Sequence, residues 1–463
     1  MLRLHDTAKG EKVSLELREP GRVSIYVCGP TVYDTPHVGH GRQVLVYDVL
    51  RRYLEWTGLE VRHVSNITDV DDRIIERANE EGRSTDEVAA VNEGRWWDAA
   101  DRLGALRPTL APRASEYVAR MVELIGQLID LGYAYPAPDG IYLAAERVDG
   151  YGLLAHQPLA SLRAGARVEV AEGKRSPVDF ALWKRAKPGE PAWDSPFGPG
   201  RPGWHTECVA MSLDLLGDDF DLHTGGLELA FPHHENERAQ AVALGRRFAR
   251  HWMHHGMVEL EGEKMSKSLG NVVSLPGLLD RADDRALRLL VLQSHYRSPM
   301  EVGEREVDQA EETLSRLDSL ARRFGLPTGS VEAGEGVEAG EGIEEEAVAR
   351  FVERMDDDLD TPGALAVIFD LVKEANSAAD TGAKEQGARA ARTVAHLARA
   401  VGLALRPGAT EHEPEVEALV AERERARAAG DFATADALRD DLRSRGYVVE
   451  DTPDGPRLVR SRG

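Results

Sequence analysis

Residues 26–42 read YVCGPTVYDTPHVGHGR and place one of only two cysteines, Cys28, nine residues ahead of an H-V-G-H tetrapeptide. Upstream, Val23 to Val27 is an apolar run of strand length, and a Gly-Pro turn follows it. Downstream, GRQVLVYDVLRRYLEWTG has helical apolar spacing closed by Gly58, and EVRHVSNITDVDDRII supplies a second strand. Strand, turn, helix, strand is the opening of a Rossmann-like unit, with the two histidines at the turn into the helix. Backbone N–H groups and the helix dipole attract phosphate at that point. The glycine spacing does not match a G-x-G-x-x-G dinucleotide site.

The rest of the chain sets the bounds. Its 463 residues exceed one ordinary core, so one large domain with one or two smaller ones is expected. Two cysteines 180 residues apart make no disulfide framework and fit a reducing cytosol. No window has the unbroken apolar length of a membrane span, so a cytoplasmic protein without a membrane partner is expected. The net charge of −23 argues against a nucleic-acid binder, although seven carboxylates fall in one stretch, VEAGEGVEAGEGIEEE, that reads as a linker. Only nine of 57 basic residues are lysine, and two of them, Lys264 and Lys267, sit in EKMSKSLGN, where compact ammoniums can do what guanidinium cannot.

Between Glu116 and Arg185 a helix mixes with irregular, Pro- and Gly-punctuated sequence, an insertion between two Rossmann halves. The second half starts near Gly203: WHTECVAMSLDLLG reads as a helix, DFDLHTGG as a strand, and PHHENERAQAVAL as a helix with Pro232 in its first turn. Long charged segments from Asp308 to about Arg406 read as a helical bundle. The tail reads as a helical hairpin and then two strands around a D-G turn.

H-x-G-H followed by K-M-S-K-S, with a Rossmann pattern between them, resembles the two signatures of class I aminoacyl-tRNA synthetases. Cys28, GRPGWHTECVAM with Cys208, and FPHHENERAQ with His233 and Glu237 narrow the resemblance to the cysteine-tRNA ligase family. That resemblance spans nearly the whole chain. It implies an α/β Rossmann-like catalytic domain with a parallel sheet over 1–307, with an insertion at about 116–202. An α-helical bundle that binds tRNA would cover 308–406, with an acidic linker at 328–346. A small mixed α/β anticodon-binding module would cover 407–463, where Phe432 and Tyr447 are the main aromatic side chains for stacking.

The same resemblance implies ATP-dependent ligation of L-cysteine to its tRNA through cysteinyl adenylate. His37, His40, Lys264 and Lys267 would be catalytic and ATP-binding, with Mg2+ accompanying the nucleotide. Developing charge on phosphate is what imidazole donors and ammoniums stabilise. Cys28, Cys208, His233 and Glu237 would hold one Zn2+, a donor set suited to tetrahedral zinc. Zinc–thiolate softness would separate cysteine from serine, which ordinary contacts do poorly. Gly29, Thr31, Thr68, Trp204 and His223 would form the cysteine pocket. The family pattern H-T-G-G-x-D reads H-T-G-G-L-E here, so Glu228 replaces the acid near ATP. A monomer is the family habit. Three alternatives stand beside it: a mycothiol-pathway ligase joining cysteine to an amino sugar, a non-catalytic RNA-binding paralogue, and a zinc-stabilised structural protein, which would not need the lysine stretch. Glu237 and the tail speak against the first, and the intact phosphate-handling residues against the second.

Overall fold

The apolar run ahead of Cys28 forms a strand buried over its last five residues, the pattern of a parallel strand covered on both faces. In the computed structural model a hairpin of β1 (Arg3–Asp6) and β2 (Glu11–Ser14) precedes this strand, β3 (Arg22–Val27). Helix α1 (Val38–Trp56) then leads to β4 (Glu60–Ser65), which runs parallel to β3 with Val27 opposite Ser65. The strand expected to continue through NITDVDDRII stops at Ser65. Asp71 instead caps α2 (Asp72–Glu81), its carboxylate accepting the Arg73 N–H. An Asp free to cap favours helix initiation over strand.

Helix α3 (Thr85–Arg102) opens with a Ser84/Glu87 capping box, and α4 (Val118–Asp130) begins the insertion. The insertion is less irregular than its sequence reads. Strands β5 (Ala134–Ala137), β6 (Gly140–Leu143), β7 (Phe180–Arg185) and β8 (Gly200–Pro202) form one antiparallel sheet in that order. Asp72, at the start of α2, pairs with Lys184 and with Arg201 (2.6 Å), tying that sheet to the loop after β4.

The second Rossmann half follows as α5 (Trp204–Leu215), β9 (Phe220–Gly226), α6 (Glu235–Ala243) and β10 (Ala249–His255). The central sheet runs β10-β9-β3-β4, all parallel. Pro232 is not in the first turn of α6. Phe231 is extended (φ −141°, ψ 133°), as a residue before proline prefers, and Pro232 and His233 lie after that kink, in the segment Ala230–His234 ahead of the helix. A small sheet of β12 (Glu263–Lys264), β11 (Val258–Leu260) and β13 (Met300–Glu301) adjoins it.

Helices Glu304–Phe324, Glu345–Asp356, Thr361–Asp380 and Lys384–Ala400 follow. Their apolar faces share one continuous core with β3 and α1, in which Leu45 and Leu50 join Leu317, Ile368 and Leu397. Inside that core Asp48 accepts hydrogen bonds from Arg288 (2.6 Å), Arg52 (2.8 Å) and the Leu106 N–H (2.7 Å). Burial alone would raise the Asp48 carboxyl, but Arg288 and Arg52 outweigh it and hold it below its ordinary range.

The chain divides into two compact units, Met1–Leu405 and Arg406–Gly463. In the second, helices Pro414–Ala428 and Phe432–Ser444 precede an antiparallel pair, β14 (Tyr447–Thr452) and β15 (Gly455–Arg460). Tyr447 belongs to its core with Val416 and Leu442, so it presents no stacking face, whereas Phe432 is 67% exposed. The structure describes residues 1–158, 161, 173–260, 263–264 (backbone), 272–326, 342–406, 414–445, 447–452 and 455–460. Most of the acidic linker lies outside them. Among the described residues no helix is long and apolar enough to cross a membrane.

Candidate functional site

Where β3 ends, Cys28 enters a cleft of about 320 Å³ between the start of α1, the loop after β4, the start of α5 and the segment after β10. Cys28, Gly29, Thr31, His37, His40, Thr68, Trp204, Cys208, Glu228 and His233 all line it. Two expected site residues do not: His223 and Glu237 lie behind the lining, both at 0% exposure. Lys264 pairs through its backbone with Glu259 on β11, and its side chain is outside the described residues. Lys267 lies outside the described residues.

Helix α5 aims Cys208 at Cys28, with the sulfurs 3.6 Å apart. Glu237 Oε1 lies 3.4 Å from Cys28 Sγ and 3.0 Å from His233 Nε2, and His233 Nε2 lies 3.7 Å from Cys208 Sγ. Around a tetrahedral ion with sulfur bonds of ~2.3 Å and nitrogen or oxygen bonds of ~2.0–2.2 Å, donors stand roughly 3.3–3.8 Å apart. The three separations that involve sulfur fall in that range, and the Glu237–His233 separation of 3.0 Å is shorter than it, so the donor types and their convergence are those of such an ion. Electrostatically they are incomplete without a cation. Burial, with Cys208 and Glu237 adding to it, pushes the Cys28 thiol well up. For Cys208 the Cys28 hydrogen bond works downward, but burial and the Glu237 and Glu207 carboxylates win and carry the thiol to about 11. Burial pushes the His233 imidazole well down. A bound dication would reverse this logic for both thiols.

The other ring nitrogen of His233 is held by His205 Nδ1 at 2.9 Å, the outer partner a ligating imidazole needs, and Trp204 stacks on the His233 ring with centroids 3.9 Å apart. A second donor group, Cys28, His223, His234 and Glu237, overlaps the first. In it only Cys28 reaches the cleft, and His234 Nδ1 is engaged with His254 at 2.8 Å. The first group is the one that can meet a small molecule. His223 Nε2 supports it from behind, 2.9 Å from Glu237 Oε2.

At the other end of the cleft the His37 and His40 rings stack at 3.8 Å, and the His37 N–H donates to His40 Nδ1 (3.1 Å). Glu228 is exposed, its carboxylate folded back over Gly226. Several residues that organise the cleft were not singled out from sequence. Asn66 accepts from the Gly29 N–H (2.9 Å) and the Tyr26 hydroxyl (3.2 Å) and donates to Thr68 Oγ1 (3.1 Å). A Cβ on Gly29 would stand 1.6 Å from the Asn66 carbonyl oxygen, so only glycine fits there. Thr68 in turn donates to buried Glu207 (3.1 Å), and Gln43 donates to the Cys28 carbonyl (2.6 Å). An amide on the buried side of α1 and an Asn ending an apolar strand were the available signals.

The fold is shared with solved synthetases. Mycobacterium tuberculosis methionyl-tRNA synthetase bound by methionyl-adenylate aligns with a TM-score of 0.63 at 16% identity, over 89% of this chain and 96% of that one. Agrobacterium radiobacter K84 agnB2 LeuRS, from its ternary complex with tRNA and LeuAMS, aligns at 0.60 and 11% identity over 84% of each. Residues 14–312 match the family described as tRNA synthetases class I (C) catalytic domain, which with the parallel sheet and its insertion defines a class I aminoacyl-tRNA synthetase. Residues 350–406 match the DALR domain and 409–456 the cysteinyl-tRNA ligase anticodon binding domain. Curated cysteine–tRNA ligases from Caldicellulosiruptor saccharolyticus and Halorhodospira halophila are 42% and 44% identical, over 99% and 100% of this chain and the full length of each relative. The chain belongs to the cysteine–tRNA ligase family.

Proposed function

We propose that the chain joins L-cysteine to its tRNA in two steps, and the observation that carries this reading is a metal-competent quartet opening into the same cleft as the paired histidines. Cys28, Cys208, His233 and Glu237 hold one zinc ion per chain. Zinc there supplies a soft Lewis acid for a thiolate sulfur, the property that separates cysteine from serine, alanine and valine. Trp204, Thr68, Gly29 and Thr31 enclose the substrate beside it. His223 acts from behind, by orienting Glu237.

In the first step a cysteine carboxylate oxygen attacks the α-phosphorus of ATP, the bond to the bridging oxygen breaks, and pyrophosphate leaves. The carboxylate is already ionised, so no general base is needed. His37 and His40 donate to phosphate oxygens, Lys264 and Lys267 neutralise the leaving pyrophosphate with Mg2+, and Glu228 meets the nucleotide. In the second step the 2′-hydroxyl of the terminal tRNA ribose takes the cysteinyl group and AMP departs. Residues 1–307 carry this chemistry, with the insertion at about 116–202 flanking it. Residues 308–406 lie along the tRNA, and 407–463 read the anticodon, with Phe432 the exposed aromatic there. The chain works as a monomer in the cytoplasm, a compartment that suits two buried thiols left unpaired.

Cysteine-dependent exchange of labelled pyrophosphate into ATP, run beside transfer of labelled cysteine to tRNA, tests the reading. Both are expected. Exchange with transfer only to an amino sugar would replace the tRNA step, and absence of exchange would overturn the proposal.

A further inference from the structure

Arg42 is among the largest side chains buried at under 2% exposure, and its environment is unusual for a cation. Its hydrogen bonds all go to main-chain carbonyls: Nη1 donates to Met257 (2.7 Å), and Nη2 to Tyr296 (3.0 Å) and Ser298 (2.5 Å). Burial lowers its pKa to about 10, which leaves it charged at neutral pH. Arg42 lies on α1 five residues beyond His37, the residue that caps it, and two beyond His40. One acceptor, Met257, lines the cleft between Gly256 and Val258, and Tyr296 and Ser298 back that wall from the segment before β13; Val258 begins β11, the partner of the strand that carries Lys264. The same wall is stitched by the Gly256 N–H to the Tyr296 carbonyl (2.8 Å) and the Met300 N–H to the Met257 carbonyl (3.0 Å). On the far side of the lysine stretch the Val38 N–H donates to the Val273 carbonyl (3.1 Å) and the Leu275 N–H to Pro36 (2.9 Å). The segments flanking K-M-S-K-S are therefore anchored on both sides to the helix that presents the histidines.

We propose that Arg42 is a positioning residue for ATP: its planar fork fixes the distance between the histidine wall and the Gly256–Val258 wall, so that a nucleotide is held from both sides at once. Five donors in a rigid plane can reach three carbonyls from two segments. A lysine ammonium at that depth offers a point charge without the fork. The metal quartet lies at the other end of the cleft and takes no bond from Arg42, so ATP binding depends on this tie and cysteine binding does not. The inference rests on reading the cleft as the site of cysteine activation.

The experiment is pyrophosphate exchange on the zinc-loaded full chain, with KM for ATP and for cysteine measured separately, alongside zinc content and melting temperature. In Arg42→Met the KM for ATP is expected to rise about tenfold or more, the scale of cost that a small misplacement of reacting groups brings, while KM for cysteine and zinc content stay within about twofold. Arg42→Lys gives an intermediate rise. Added guanidinium chloride lowers the ATP KM of Arg42→Ala, and sodium chloride at equal ionic strength does not. Gly256→Ala is an independent probe that leaves the charge in place. A Cβ there would stand 2.5 Å from the Ser298 carbonyl oxygen and push the wall away, so it is expected to reproduce the selective ATP defect. An unchanged ATP KM in Arg42→Met and Gly256→Ala would overturn the proposal, as would ATP and cysteine KM rising in parallel. Failure of the wild-type chain to show cysteine-dependent exchange would instead sink the functional reading beneath it.

Discussion

The Asp48 knot and the Cys28 quartet are both buried and both assembled from segments far apart in the chain, yet they end in opposite states of satisfaction. Asp48 is surrounded by two guanidiniums and a backbone N–H, so its charge is answered within the protein. The quartet offers two thiols, an imidazole and a carboxylate at ligand spacing, with burial forcing the thiols up and the imidazole down. Buried polar groups are ordinarily paired. A cluster that answers its own charge holds the fold, and one that sets two thiols, an imidazole and a carboxylate at ligand spacing is suited to a cation.

Breaking the knot should cost the most. Arg288→Met takes one of the two guanidiniums from a buried carboxylate, and removing a partner from such a group costs about 3–5 kcal/mol. Denaturant unfolding should show that loss with zinc content unchanged. A loss under about 1 kcal/mol would put the knot and the quartet on the same footing. Cys208→Ala should do the converse. Zinc affinity should fall by about 100-fold or more, since even outer partners of metal ligands are worth 10–100-fold, while circular dichroism stays that of the folded chain.

His223→Ala sharpens the comparison, because the residue supports Glu237 without lining the cleft. Its zinc affinity should fall about tenfold, measured by competition with a chromophoric chelator, and no change would remove His223 from the account. The smallest effect is in acid. Asp48 is held below its unfolded value of about 3.9, so its contribution is complete above that pH and is lost as pH falls through the lower folded value. As pH falls below about 4, the stability of Arg288→Met should therefore decline less steeply than that of wild type.

The two clusters were not equally legible. Cys28 and Cys208 are the only two cysteines of the sequence, and the quartet they form with His233 and Glu237 was legible through the family resemblance, while the β3–α1 unit followed from periodicity. Asp48, Arg52 and Arg288 are common residues on amphipathic helices, and nothing local says that Arg288 will turn inward to a carboxylate 240 positions away. The insertion sheet was hidden for a related reason. Its strands are three to six residues long, interrupted by Pro and Gly, and paired across gaps that periodicity does not register. The family resemblance makes His223 a pocket residue, but β9 is buried along its whole length and carries it behind the cleft lining.

The most direct test of the central claim is the visible spectrum of the cobalt-substituted chain titrated with L-cysteine and, separately, with L-serine. Cobalt held by two thiolates gives sulfur-to-metal charge transfer. Cysteine is expected to intensify and shift that band at saturation, while serine leaves it unchanged. An identical response to both amino acids, or no metal retained by the wild-type chain, would contradict the claim that Cys28, Cys208, His233 and Glu237 hold a metal that reads the substrate thiol.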